Sequence, residues 1–180
     1  MAMIYNYNSL NAKDLDFFET LPISQSIRFA GMEPILACHG TPFENQKALL
    51  SEDEIIQKCE ERYIICGHTH MQGFVSDGKK KIINAGAVGV PLKSPKKTQY
   101  MILTSDGKDW KPEFLSLEYD VDTVIKEIHE SGLWDASPYW CRITEHLLYT
   151  GELPHGTVLN HVMKRNDYQD PWYHIADSYW

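Results

Sequence analysis

The residues of this sequence best suited to chemistry are histidines that follow short apolar runs. His68 and His70 come after the run Tyr63–Cys66 and a glycine. His39 comes directly after an apolar run at 34–38 and is itself followed by a glycine. Neutral imidazole is a common ligand of zinc, iron and other first-row metals. Since the carboxyl ends of neighbouring parallel strands lie at one edge of a sheet, the pattern predicts a metal site that uses His39, His68 and His70.

The spacing of His68 and His70 is better suited to two ions than to one. For a strictly extended chain, we expect the two rings to point away from each other and not to share an ion, and therefore to serve two neighbouring ions. Two cations about 3.5–4 Å apart are the arrangement with which two-metal hydrolases act on phosphoesters. A third run, Lys81–Asn84, leads into a small-residue loop at 85–91, whose backbone could approach a ligand closely.

Composition limits the classes of protein to consider. A chain of 180 residues with 43% hydrophobic and 23% charged residues fits one globular domain with a core. The net charge of −8 argues against nucleic-acid binding, because Lys and Arg provide most contacts to phosphate backbones. No apolar run reaches membrane-spanning length and no secretory pattern is visible, which favours the cytoplasm. The four cysteines form no CxxC pair, so we expect free thiols.

The elements around the histidines alternate as they do in an α/β sheet. The strand at 34–38 is followed by a capping pattern at 51–54, which predicts a helix to about Glu60, and then by the strand Tyr63–Cys66. This order predicts a parallel crossover unit. Upstream, residues 27–30 are expected to form a hairpin with 34–38.

The rest of the chain predicts further helices and two more hairpins. Turn signals at 76–79 and 105–108 each lie between two short strands. Helices are expected from Ser9 or Asn11 to Leu21, from Val121 to Ser131 and over 139–149, whereas residues 1–8 show no usable period. Residues 1–151 are therefore expected to form one domain, with residues 152–180 as a C-terminal extension that packs on the domain or on a partner.

Three short motifs occur in a fixed order: HGTP at 39–42, GHTH at 67–70 and NAGAVGVP at 84–91. This ordered set resembles the second half of the calcineurin-like metallophosphoesterase superfamily, in particular its small bacterial phosphodiesterase branch. The match runs from about Ser9 to Gly151. The resemblance implies an α/β sandwich of the αββα type and hydrolysis of phosphomono- or phosphodiesters, of small molecules or nucleotides, at a centre of two manganese, iron or zinc ions.

The resemblance also implies roles for individual residues. His39 and His68 would bind one metal and His70 the other. The residues implied for a loop beside the substrate are Asn84, Gly86 and Gly89. Ala85 and Ala87 stand where the family usually has proline and serine, which affects loop stiffness and a hydroxyl contact rather than the ligands.

The same resemblance implies ligands that this chain lacks. The first half of the family provides an Asp-x-His motif, a Gly-Asp motif with the bridging carboxylate, and a Gly-Asn-His motif, and none of them precedes His39. Because the remaining ligands are all neutral, two cations would face each other with too little negative charge between them. We therefore expect a partial sandwich without its first strands and helices, binding one ion or none and having little or no activity alone.

Other functions fit the same sequence. A non-catalytic remnant could bind or assemble through a sheet edge that the absent strands leave open, as a homo-oligomer or with another chain. A structural zinc module could use Cys38 or Cys66 with the histidines, although cysteines inside strands should point away from the turn. The tail residues His155, His161 and Asp167 could also supply ligands, although no strand pattern surrounds them.

Overall fold

Two β-sheets of unequal size form the centre of the computed structural model, which describes residues 2–47, 49 and 54–154. The strands are β1 (Ser24–Ile27), β2 (Ile35–Cys38), β3 (Tyr63–Cys66), β4 (Gly73–Ser76), β5 (Lys81–Asn84), β6 (Lys97–Ser105) and β7 (Trp110–Glu118). The larger sheet has the order β1-β2-β3-β5-β4, and β6 and β7 form the smaller sheet.

Helices occur at both ends of the described chain and in the crossover between β2 and β3. They are α1 (Ala2–Asn8), α2 (Ala12–Thr20), α3 (Glu54–Gln57), α4 (Val121–Glu130), α5 (Leu133–Ala136) and α6 (Pro138–Thr150). Among these described helices, none combines the length and the apolar character needed to cross a membrane.

The middle of the larger sheet is parallel. β2 pairs with β3 with Leu36 opposite Ile64, and β3 pairs with β5 with Ile64 opposite Ile82. β1 and β4 are antiparallel edge strands in the described part of the chain. Central parallel strands are covered on both faces, which explains why their sequences are nearly continuous apolar runs.

Alternate residues of the central strands bury the two faces of the larger sheet. One face packs against the smaller sheet in a cluster of Ile35, Tyr63, Ile83 and Trp110. The other face packs against the crossover segment in a cluster of Leu36, Leu49, Ile56, Cys59, Ile64, Cys66 and Ile82. The predicted α/β class and the parallel crossover are therefore confirmed.

The later helices begin and end at residues with the expected chemistry. Asp120 caps α4, with its carboxylate accepting from the backbone N–H of Thr123 at 3.1 Å. Gly151 ends α6 with a φ of 70°, a left-handed conformation that favours glycine. A small third cluster of Ala2, Leu133 and Cys141 joins α1 to this helical layer.

Several predicted boundaries were wrong. Residues 2–8 form a helix, which gave no periodic signal because Ala2 is its only buried residue. The strand expected at 27–30 lies instead at Ser24–Ile27, where an edge strand with three exposed residues lacks apolar alternation. The crossover helix ends at Gln57 rather than near Glu60, and the short helix α5 was not predicted. The capping serine at 51 and the tail at 155–180 lie outside the described residues.

Candidate metal site

The ends of β2 and β3 bring His39 and His68 together. Because the two strands are adjacent and parallel, the residues that follow them leave the sheet at the same edge. The backbone N–H of Gly67 donates to the carbonyl of His39 at 2.8 Å. This bond keeps the segments that follow β2 and β3 side by side beyond the last pair of the strands. The imidazole centroids are 5.5 Å apart, with the rings inclined at 80°. The rings of His39 and His68 are thus close neighbours.

The backbone does not remain extended through His68 and His70. Their φ angles are 64° and 56°, in the left-handed region that non-glycine residues rarely adopt. The turn is fixed by Asn84, whose amide Nδ2 donates to the Gly67 carbonyl at 2.6 Å and to Thr69 Oγ1 at 2.8 Å. The spacing argument for two ions assumed an extended chain with the two rings directed apart. That reasoning is wrong, because the backbone turns at both histidines and because residues two apart in a strand share a face.

The ring of His70 is oriented by the loop that follows β5. His70 Nδ1 lies 2.9 Å from the carbonyl oxygen of Val90, and the N–H of Leu92 donates to the His70 carbonyl at 3.0 Å. A carbonyl can only accept, so Nδ1 carries the proton and donates. The tautomer thus leaves the lone pair on Nε2, the arrangement that metal-binding histidines commonly have.

The three residues predicted for the substrate loop have different surroundings. Asn84 is half-buried, and its Oδ1 accepts from the N–H of Gly86 at 2.9 Å, so this amide shapes both loops. Gly86 has a φ of 86°, and a Cβ there would lie 2.3 Å from Oε1 of Gln99. Gly89 is exposed and has open space where a Cβ would be.

Gln99 on β6 forms hydrogen bonds to the loop that follows β5, and the sequence did not predict this role. Its backbone N–H donates to the Ala87 carbonyl at 3.0 Å, and its Nε2 donates to the Leu92 carbonyl at 3.5 Å. The residue is 8% exposed, and its buried Oε1 has no hydrogen-bond partner in the described part of the chain. A strand of alternating polar and apolar residues gave no reason to single out this glutamine.

A tight loop follows His39. Thr41 is fully buried, and its Oγ1 accepts from the N–H groups of Phe43 and Glu44 at 3.3 and 2.9 Å. Gly40 lets three backbone carbonyls of this loop come close to its α-carbon. The HGTP motif therefore has a local structural explanation in addition to the metal role predicted for its histidine.

The cysteines near the site are protonated thiols. Burial raises the pKa of Cys38 to about 12 and that of Cys66 to about 11. The Cys38 thiol donates to the Gly40 carbonyl at 3.3 Å. The four cysteines are thiols and not members of disulfides, as expected. Among the described residues, neither thiol belongs to a group of three or more His, Cys, Asp or Glu side chains that could hold the zinc of a structural module.

The residues present fit part of a metal centre. Two neighbouring imidazoles and a third ring with a defined free nitrogen are suitable donors for a first-row divalent cation. Within residues 2–47, 49 and 54–154, however, no three His, Cys, Asp or Glu side chains lie close enough together to hold one ion. In this part of the chain, no carboxylate joins the pair formed by His39 and His68.

Comparison with known proteins agrees with the architecture and the motifs. Residues 6–108 match the calcineurin-like phosphoesterase superfamily domain, and the chain belongs to this superfamily. The predicted superfamily is therefore confirmed, whereas the small bacterial branch remains a prediction.

Individual relatives extend the comparison. Over 159 residues, the chain is 25% identical to an uncharacterized protein of Methanocaldococcus jannaschii, covering 78% of this chain and 62% of that protein. It is similar to the crystal structure of a hypothetical protein from Pyrococcus horikoshii OT3, with a TM-score of 0.66, 16% identity and coverage of 83% of this chain and 58% of the other. For a metallophosphoesterase from Sphaerobacter thermophilus the TM-score is 0.64, with 20% identity and coverage of 84% and 68%. These likenesses show the fold, and the chain spans less than two thirds of the first two proteins.

Proposed function

We propose that the chain carries part of a two-metal phosphoesterase site. In this proposal His39, His68 and His70 are metal ligands, and the loop with Asn84 and Gly89 lies beside the substrate. The substrates would be phosphomono- or phosphodiesters of small molecules or nucleotides, the metals manganese, iron or zinc, and the location the cytoplasm.

The observation that supports the proposal is the pair of imidazoles, His39 and His68, at the carboxyl ends of two adjacent parallel strands. His39 and His68 leave adjacent parallel strands with their rings 5.5 Å apart. His70 lies two residues further on, and the Val90 carbonyl holds its proton on Nδ1.

The residues of this chain would bind the metal and orient the phosphoester, but would not by themselves complete the reaction. When bound, divalent cations would supply positive charge beside the phosphoryl oxygens and activate water. His70 keeps a fixed tautomer through Val90, and Asn84 holds the turn that carries His68. The exposed Gly89 leaves room for a phosphoester to approach the loop. With three neutral ligands alone, we expect weak metal binding and little or no hydrolysis.

Metal titration tests the ligand roles. Isothermal titration with manganese, cobalt or zinc should show binding that His68→Ala and His39→Ala weaken at least tenfold. The matched control is His146→Ala, because His146 is exposed on α6 and lies outside the site. Equal affinities in the wild type, His68→Ala and His146→Ala would refute the ligand assignment.

Hydrolysis tests the completeness of the site. With bis-p-nitrophenyl phosphate and manganese, we expect the isolated chain to release p-nitrophenol at the background rate. A rate well above background that His68→Ala abolishes would show that the site is complete, and would contradict the expectation of a partial centre while supporting the ligands.

An assembly module is a second candidate, favoured by the smaller sheet. β6 and β7 are nine residues each, and their outer edges have no partner strand in the described part of the chain. Tyr100, Ile102 and Leu117 are exposed on this sheet, at 44, 46 and 61%. Long open edges with exposed apolar residues favour pairing with another strand. Light scattering should then show a dimer that Ile102→Lys dissociates, and a strictly monomeric wild type would exclude self-assembly through this edge.

A further inference from the structure

A pocket opens beside His39, between the end of α2 and the strands β1 and β2. Its volume is about 610 Å³, within the range of pockets that bind small molecules. One wall is formed by Phe18, Leu21 and Ile23, which are 51, 51 and 50% exposed. The wall therefore offers apolar surface that a bound group would remove from water.

The polar groups of the pocket are uncharged. Gln25 and Asn45 line the pocket, and their side-chain amides can both donate and accept hydrogen bonds. Among the described residues that line the pocket, none is Asp, Glu, Lys or Arg. A second phosphate or a carboxylate would find no Lys or Arg among these described residues, whereas an uncharged ring with polar edges would find both apolar contact and hydrogen-bonding partners.

The position of the pocket connects it to the candidate metal site. His39 lines the pocket, and its ring is 5.5 Å from that of His68. A ligand can thus place its phosphoryl group at the imidazole pair while its organic part extends towards Phe18. We propose that the pocket binds the nucleobase of a nucleotide substrate, with the base stacked on Phe18 and its edge facing the amides of Gln25 and Asn45. This proposal rests on the proposed function and names the substrate class of the same site.

Ligand pairs that differ only in the base test the pocket. Equilibrium binding of AMP and of ribose 5-phosphate is measured at a fixed manganese concentration, with ligand up to several millimolar. AMP should bind about tenfold more tightly, near the low end of the effect of one base–aromatic stack. Phe18→Ala should remove most of this advantage and leave the affinity for ribose 5-phosphate unchanged.

The neighbouring Phe17 provides a matched control. Phe17 lies on the same helix, is 58% exposed, has its ring centroid 5.9 Å from that of Phe18, and does not line the pocket. Phe17→Ala should therefore keep the preference for AMP. Since both side chains are exposed, both variants should fold, and circular dichroism checks this directly. Equal losses in Phe17→Ala and Phe18→Ala would overturn the proposal.

Variants of the metal site separate the two proposals. If AMP and ribose 5-phosphate bind equally, and both are lost in His68→Ala, the pocket proposal fails and the proposed function stands. If AMP binding requires Phe18 but is unchanged in His68→Ala, the pocket stands and the ligand role of His68 fails. Binding of neither compound would overturn the pocket proposal together with the proposed function.

Discussion

Substitution of Gly40 by alanine should disrupt the loop that positions His39. A Cβ at residue 40 would lie 2.5 Å from the carbonyl oxygen of Lys47, 2.6 Å from that of Asn45 and 2.8 Å from that of Glu44. Real Cβ atoms essentially never come within 3.0 Å of another heavy atom, so these oxygens would have to retreat by about 0.5, 0.4 and 0.2 Å.

The loss of stability caused by Gly40→Ala depends on whether the three crowded oxygens can move. All three are backbone atoms, so no side-chain rotation relieves the contact. The Glu44 carbonyl also accepts from the N–H of Thr41 at 2.9 Å, and moving it weakens the turn that buries Thr41. Overpacking in a well-packed region costs about 1–3 kcal/mol. Because three backbone groups must move together, we expect Gly40→Ala to lower the free energy of unfolding by about 3 kcal/mol.

Urea unfolding followed by circular dichroism measures this change, with Gly89→Ala as the control. Gly89 has no heavy atom within 4 Å of a built Cβ, and its φ is not in the left-handed region. Gly89→Ala should therefore change the free energy of unfolding by no more than about 0.5 kcal/mol. Gly40→Ala should also weaken metal binding, because the loop is continuous with His39. If the two variants differ by less than 0.5 kcal/mol, the steric argument is wrong.

Other changes test the surrounding structure. Gly86→Ala should cost at least about 1–2 kcal/mol in urea unfolding, since it combines a left-handed φ of 86° with a clash against Gln99. Gln99→Ala in the same chain should recover only the part of the clash due to Oε1 and Cδ, because the Cβ of residue 99, 2.9 Å from the added carbon, remains. Trp110→Ala should cost about 3–5 kcal/mol, because it empties a buried site and removes a 2.8 Å hydrogen bond to the Glu33 carbonyl. Burial raises the pKa of Cys38 from 9.0 to about 12. The contribution of this thiol to the free energy of unfolding should therefore be constant below pH 9 and fall between pH 9 and 12, because only the unfolded chain ionises there. Cys38→Ala should show a shallower decline over this range, measured by urea unfolding at several pH values.

The sequence was most informative where burial and local chemistry act together. The apolar runs of β2, β3 and β5 predicted central strands because both faces of each strand are covered. The aspartate cap of α4 and the glycine end of α6 were also readable, because each satisfies backbone groups that a helix leaves unpaired. The close approach of His39 and His68 follows directly from the parallel pairing of their strands.

Features that depend on distant contacts could not be predicted. The left-handed turn at His68 is fixed by the amide of Asn84, sixteen positions later in the sequence. The support from Gln99 depends on how β6 packs under the loop, which no local pattern reports. Helix α1 and strand β1 have few buried residues, so neither carries the periodicity from which such elements are recognised.

Hydrogen bonds from two other segments stabilise the turn that carries His68 and His70, and they are relevant to its proposed role in metal binding. Asn84 bonds to the Gly67 carbonyl, and the backbone of Leu92 bonds to the carbonyl of His70. A turn needed only to connect β3 with β4 could use glycine or asparagine at the two left-handed positions, without the cost that histidine has there. The histidines keep that conformation because surrounding hydrogen bonds stabilise it, and the Val90 carbonyl also fixes the His70 tautomer. For His70, both the ring direction and the protonated nitrogen are thus specified, as is common for histidines that bind a metal through Nε2.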